Sequence, residues 1–81
     1  MLRGYGMTLE LFVSPHNPPR VTDPEAYGLR HLALRVTHLS DMVIQLKKLG
    51  YSPEPIRQDS FDGANMTFVK DPDGLPIELH E

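Results

Sequence analysis

The 81-residue chain contains no cysteine. That excludes a disulfide framework and a thiolate zinc site. No apolar run approaches the roughly 20 residues needed to span a bilayer. The first residues, MLRGYGMTLELF, lack the apolar h-region of a secretory signal. The expectation is a cytoplasmic protein with no membrane partner. Basic clusters are missing too. Eight Lys and Arg stand against 11 Asp and Glu, a net charge of −3, so the electrostatic footprint of a nucleic-acid binder is absent.

What remains is the composition of a soluble globular protein, 40% hydrophobic and 23% charged. Its length allows one small domain. A chain of this size buries only about 60–65% of the surface it exposes when unfolded. A thin core without staples points to a working unit larger than these 81 residues. Proline is abundant, 8 of 81 residues, about twice the average usage. Four of the eight lie between Pro15 and Pro24.

Residues 7–13, MTLELFV, alternate as a strand, with Met7, Leu9, Leu11 and Val13 on one face and Glu10 on the other. Residues 14–27, SPHNPPRVTDPEAY, have no period and read as a connector, long for one inside a compact domain. Residues 29–36, LRHLALRV, form a second strand, with Leu32, Leu34 and Val36 opposed to His31, Ala33 and Arg35. The period then changes. Leu39, Met42, Val43, Leu46 and Leu49 follow the spacing of an amphipathic helix over 38–49. Thr37 or Ser40 is its expected N-cap, Lys47 and Lys48 suit its C-terminal end, and Gly50 suits C′. Three strand-like segments follow, Tyr51 to Asp59, Asn65 to Lys70 and Leu75 to His80. Asp62-Gly63 marks one turn between them, and Asp71-Pro72-Asp73-Gly74 a type I turn. A helix covers one face of such a four-stranded sheet. The other face, carrying His31, Arg35 and Glu78, needs a partner sheet.

The βαβββ order, the GLRHLALRV strand and the closing FVKDPDGLPIELHE resemble the vicinal oxygen chelate superfamily of glyoxalases, bleomycin resistance proteins and dioxygenases. The likeness is nearest to small, stand-alone bacterial glyoxalase-like proteins. It implies an α+β fold made of one βαβββ module with a preceding strand, half of a two-module fold that dimerisation would complete. Residues 1–13 then correspond to the last strand of an incomplete first module, 14–28 to a proline-rich linker, and 29–81 to a complete second module. Such a chain is a fragment, a truncated reading frame, or a half-unit that completes itself by association.

In glyoxalase-type members each module gives a histidine on its first strand and a glutamate on its last. Carried over by position, the resemblance implies Glu10, His31 and Glu78 as metal ligands, with no counterpart for the first module's histidine. One imidazole and two carboxylates suit a divalent metal, zinc or nickel first, with manganese, cobalt or iron(II) as alternatives. The implied activity is that of a metal-dependent lyase or isomerase. It moves a proton next to a carbonyl on a small oxygen-chelating substrate, and Glu78 is the proton-transferring base. A glutamate at position 10 favours this type over extradiol dioxygenases, which bind iron with two histidines and one glutamate. The alternatives are a non-catalytic small-molecule binding or resistance protein of the same fold, and the dioxygenase. The implied partners are a small-molecule substrate and either a second copy of the chain or a missing N-terminal module.

Each residue also has a plain reading. Glu10, His31 and Glu78 all sit in alternating strands, where a solvated polar side chain is ordinary. His80 shares the Glu78 face and reads as a frayed C-terminal histidine more readily than as a surrogate ligand. His16 and His38 read as surface residues. Arg35 suits an anionic substrate or a cross-strand ion pair. Phe12, Met66 and Phe68 fit a pocket or a core equally well.

Overall fold

The computed structural model describes all 81 residues. The chain opens with a hairpin that the alternating pattern of 7–13 did not reveal. Strands β1 (Leu2–Gly4) and β2 (Met7–Leu9) pair antiparallel, Leu2 opposite Leu9 and Gly4 opposite Met7. Tyr5 and Gly6 form the two-residue turn with φ of 53° and 70°. Positive φ at both central positions is the geometry whose twist matches a tight hairpin. The strand expected over 7–13 therefore stops at Leu9, and Glu10 falls just beyond it.

From Gly28 onward the order is that of a βαβββ module: β3 (Leu32–Arg35), α1 (Leu39–Lys48), β4 (Arg57–Gln58), β5 (Asn65–Lys70) and β6 (Pro76–His80). The sheet order is β3-β6-β5-β4. The first strand of the module thus lies beside its last. They run parallel, Leu32 opposite Ile77 and Ala33 opposite Glu78, while the other neighbours are antiparallel. Two expected strands are shorter than their apolar patterns. The 29–36 segment is laddered only over Leu32–Arg35, and Tyr51 to Asp59 only over Arg57–Gln58. Pro53 and Pro55 lack the N–H a ladder requires. That stretch is tied to β5 instead by the Glu54 N–H on the Phe68 carbonyl (2.9 Å) and by the Thr67 hydroxyl on the Glu54 carbonyl (2.6 Å).

The helix covers one sheet face. Val36, Leu39, Val43 and Leu79 form the buried cluster, with Leu34, Met42, Leu46, Val69 and Ile77 against it. Only 6 of 81 residues are buried, which is the thin core that chain length dictates. Leu49, expected on the packed stripe, is exposed. It is the C-cap, where the chain turns away through Gly50 at φ 93°. The Gly50 N–H bonds the Lys47 carbonyl and the Tyr51 N–H the Leu46 carbonyl, a Schellman closure.

The helix start differs from expectation. Neither Thr37 nor Ser40 caps it, since His38 is the N-cap residue and makes no side-chain cap bond. The carboxylate of Glu81 takes that role from the far end of the chain. Its Oε2 accepts the Leu39 N–H at 3.0 Å, and its Oε1 accepts the Asn65 side-chain amide at 3.4 Å. A negative charge there also faces the positive end of the helix dipole.

Leu39 is 1% exposed in a core with few neighbours to compensate for its loss. Leu39→Ala is expected to destabilise the chain by about 3 kcal/mol in urea unfolding. Glu81→Ala, which removes the cap while leaving the helix sequence intact, should cost about 1 kcal/mol in the same assay.

Candidate functional site

The β3–β6 pairing decides which polar residues meet. Leu34, Ile77 and Leu79 pack toward the helix, so the alternating residues His31, Ala33, Glu78 and His80 belong to the open face. There His31 Nε2 lies 3.2 Å from Glu78 Oε1, with the side chains 32% and 12% exposed. The two module residues singled out from the sequence as ligands are brought together. Phe68, opposite Glu78 on β5, presents its ring at right angles to the His31 imidazole with centroids 5.2 Å apart. The Arg57 guanidinium lies 5.4 Å from the centre of that same ring. Phe68 is thus a wall of the site.

Glu10 is not brought into the pair. It is exposed, follows β2, and borders a shallow depression with Met1, Leu11 and Phe12. An apolar gap of about 220 Å³ separates the hairpin, through Leu2, Met7 and Leu9, from Leu32 and Leu34 of β3.

His80 is not a frayed terminal histidine. It lies in β6, half-buried, and both ring nitrogens face carboxylates: Nδ1 is 2.9 Å from Glu78 Oε2 and Nε2 is 2.8 Å from Asp62 Oδ2. Asp62 is held in turn by the Ala64 N–H, which donates to its Oδ1 at 2.9 Å. Asp59 anchors the same β4–β5 loop, its Oδ1 accepting the Phe61 N–H at 2.7 Å. Asp59, Asp62 and His80 bring one ligand atom each within 4.8 Å of one another. A continuous polar chain therefore crosses the open face, from His31 through Glu78 and His80 to Asp62.

Asp62 and Asp59 were not singled out from the sequence. Asp62 gave only a turn signal with Gly63, Asp59 read as the end of a strand-like segment, and their approach to His80 depends on the β5–β6 register that sets Met66 opposite His80. His16 and His38 are exposed, as expected. Arg35 is exposed and makes no ion pair, its cross-strand neighbour being His80. Met66 is buried, Phe68 half-buried, and Phe12 almost fully exposed.

The hydrogen bonds to Asp62, first the Ala64 N–H and then His80, hold its carboxyl below the ordinary value of 3.8. Asp62 and then Glu78 push the His80 ring above its ordinary 6.5. The aspartate's contribution to stability is complete above its ordinary value and lost as pH falls through the lowered one. The histidine's is complete below its ordinary value and lost as pH rises through the raised one. The pair therefore contributes most between about pH 4 and pH 6.5. The melting-temperature gap between wild type and Asp62→Asn should be widest in that window and narrow above it.

The glyoxalase/bleomycin resistance protein/dioxygenase superfamily model matches residues 2–79. The chain belongs to this superfamily. It is 51% identical over 73 residues to the uncharacterized protein YwkD of Bacillus subtilis and 45% identical over 73 residues to the uncharacterized protein YaeR of Escherichia coli. Each match takes in 90% of this chain and 57% of the relative. The fold agrees with the crystal structure of a glyoxalase family protein from Enterococcus faecalis, with a TM-score of 0.81 at 51% identity, over 84% of this chain and 54% of that one. The crystal structure of SMU.1112c is similar at a TM-score of 0.78 and 47% identity, over 80% of this chain and 50% of that one. The chain spans about half the length of the relatives it matches. Superfamily members often bind divalent metals, and no helix of this chain is long and apolar enough to cross a membrane.

Proposed function

We propose that this chain carries half of the site of a glyoxalase-like, metal-dependent lyase or isomerase acting on a small oxygen-chelating substrate. The observation that carries the reading is the His31–Glu78 pair, 3.2 Å apart on the uncovered sheet face. The donor chemistry fits a divalent cation: an imidazole nitrogen and a carboxylate oxygen, partly shielded from water and backed by Phe68. His31 and Glu78 would hold the metal, with Glu10 as a third ligand once the face is covered. Zinc or nickel suits the set, and manganese, cobalt or iron(II) suits it less closely. When bound, such a metal polarises a carbonyl oxygen of the substrate. The remaining work falls to the protein. Glu78, as a carboxylate that can leave the metal, would take the proton from the carbon next to the carbonyl and return it, while Phe68 and His31 bound the space in which the substrate sits.

Residues 29–81 act in this reading as one βαβββ module, 1–13 as the end of another, and 14–28 as the linker between them. A second sheet must cover the open face, from a second copy of this chain or from further chain such as the longer relatives possess. The competing reading is a binding protein that uses the same face without chemistry.

Metal analysis by mass spectrometry of the purified full chain separates the two. The lyase or isomerase reading expects a divalent metal in stoichiometric amount that is lost in Glu78→Gln and His31→Ala. It also expects zinc or nickel at 100 times Kd to add about 2.7 kcal/mol to wild-type stability and nothing to His31→Ala. Protein that is metal-free and unmoved by added metal would leave the binding reading.

A further inference from the structure

We propose that His80, held from behind by Asp62, is a positioning residue that confines Glu78 to using a single oxygen. The proposal rests on the reading of His31 and Glu78 as metal ligands and extends it to residues that reading does not use.

Glu78 has two carboxylate oxygens, and the structure gives them different partners. Oε1 faces His31 and the open side of the sheet, whereas Oε2 is occupied by His80 Nδ1 at 2.9 Å. His80 cannot readily swing away, because its other nitrogen is bound to Asp62 at 2.8 Å and Asp62 is pinned by the Ala64 N–H. Adjacent strands supply the scaffold. Glu78 and His80 stand two apart on β6, on the same face, and β5 leads back to the loop that carries Asp62. A carboxylate free at both oxygens rotates about its terminal torsion and can grip a cation with both. With Oε2 taken, Glu78 presents Oε1 alone in a fixed direction. One-oxygen binding leaves more coordination positions open for a substrate that chelates through two oxygens, and it leaves the proton-accepting lone pairs on Oε1 in a defined place. Partners of this kind behind a ligand typically tune metal affinity by about 10–100-fold.

The geometry supplies a discriminating pair of substitutions. An asparagine amide reaches where His80 Nδ1 stands and retains the bond to Glu78, whereas a glutamine amide reaches where Nε2 stands and retains only the approach to Asp62. Titration of the full chain with Co²⁺, followed by its visible absorption, reads both affinity and coordination. Wild-type binding that disappears in His31→Ala establishes that the cation sits at the His31–Glu78 pair. His80→Ala and His80→Gln should then weaken Co²⁺ binding by about tenfold or more and change its spectrum. His80→Asn should stay close to wild type. Melting curves accompany each variant, so that loss of folding is seen for what it is. Equal affinity and spectrum in wild type and His80→Ala overturns the positioning role while leaving the metal reading intact. Indistinguishable behaviour of the Asn and Gln variants overturns it as well, since a merely structural histidine would not separate them. Co²⁺ binding indifferent to His31→Ala removes the metal reading itself, and the role of His80 with it.

Discussion

The parallel ladder between Leu32–Arg35 and Pro76–His80 supports everything else in the molecule. It joins the two ends of the βαβββ module, 45 residues apart in sequence, and leaves β3 at the sheet edge with β6 inside. On one face it gathers Leu34, Val36, Ile77 and Leu79 under the helix. On the other it sets His31 beside Glu78. Because side chains alternate at every residue, a slip of one position would exchange these two sets and bury the polar pair in place of the core. The packing of a small apolar cluster and the assembly of the site are therefore a single event. The same closure brings the C-terminal residue back to the helix start, where Glu81 caps the Leu39 N–H.

The molecule is asymmetric in how its polar groups are satisfied. The helix face has few, and the Thr67 hydroxyl, fully buried, is met by the Glu54 carbonyl. The open face lines up alternating imidazoles and carboxylates: His31 beside Glu78, Glu78 beside His80, His80 beside Asp62. His31 and Glu78 nonetheless remain partly exposed on this face, at 32% and 12% of their side chains. The apolar gap between the hairpin and β3 speaks differently. There Leu2, Met7 and Leu9 lie near Leu32 and Leu34 without closing on them.

Much of this was legible in one dimension. The change from a two-residue to a 3.6-residue period after Thr37 located the helix to within one residue at each end. The Asp71–Gly74 turn and the β5 strand were read in full, because turn chemistry and alternation agree there. The family likeness rested on the same segments and extended to His31 and Glu78. Where local signals were weak or misleading, the reading fell short. The β1–β2 hairpin was hidden because Tyr5-Gly6 is a less familiar turn pair than Asn-Gly, and because Leu11 to Val13 continue the alternation without pairing. The 51–59 strand shrank to two residues because its prolines break the ladder.

Sequence alone determined the α+β class, the order of elements from residue 29, the thinness of the core and the candidate status of His31 and Glu78. The first three follow from periodicity, turn residues and length, all local or additive properties of the chain, and the last from the family resemblance of the segments that carry the two residues. Tertiary structure decided the rest. That His80 is a held residue and not a loose end, that Asp62 stands behind it, that Glu81 caps the helix, and that Glu10 stays apart from the His31–Glu78 pair all depend on which strands become neighbours. Neighbour choice is settled by burying one apolar face over the whole module at once. The polar contacts are its geometric consequence, and no local window of residues contains them.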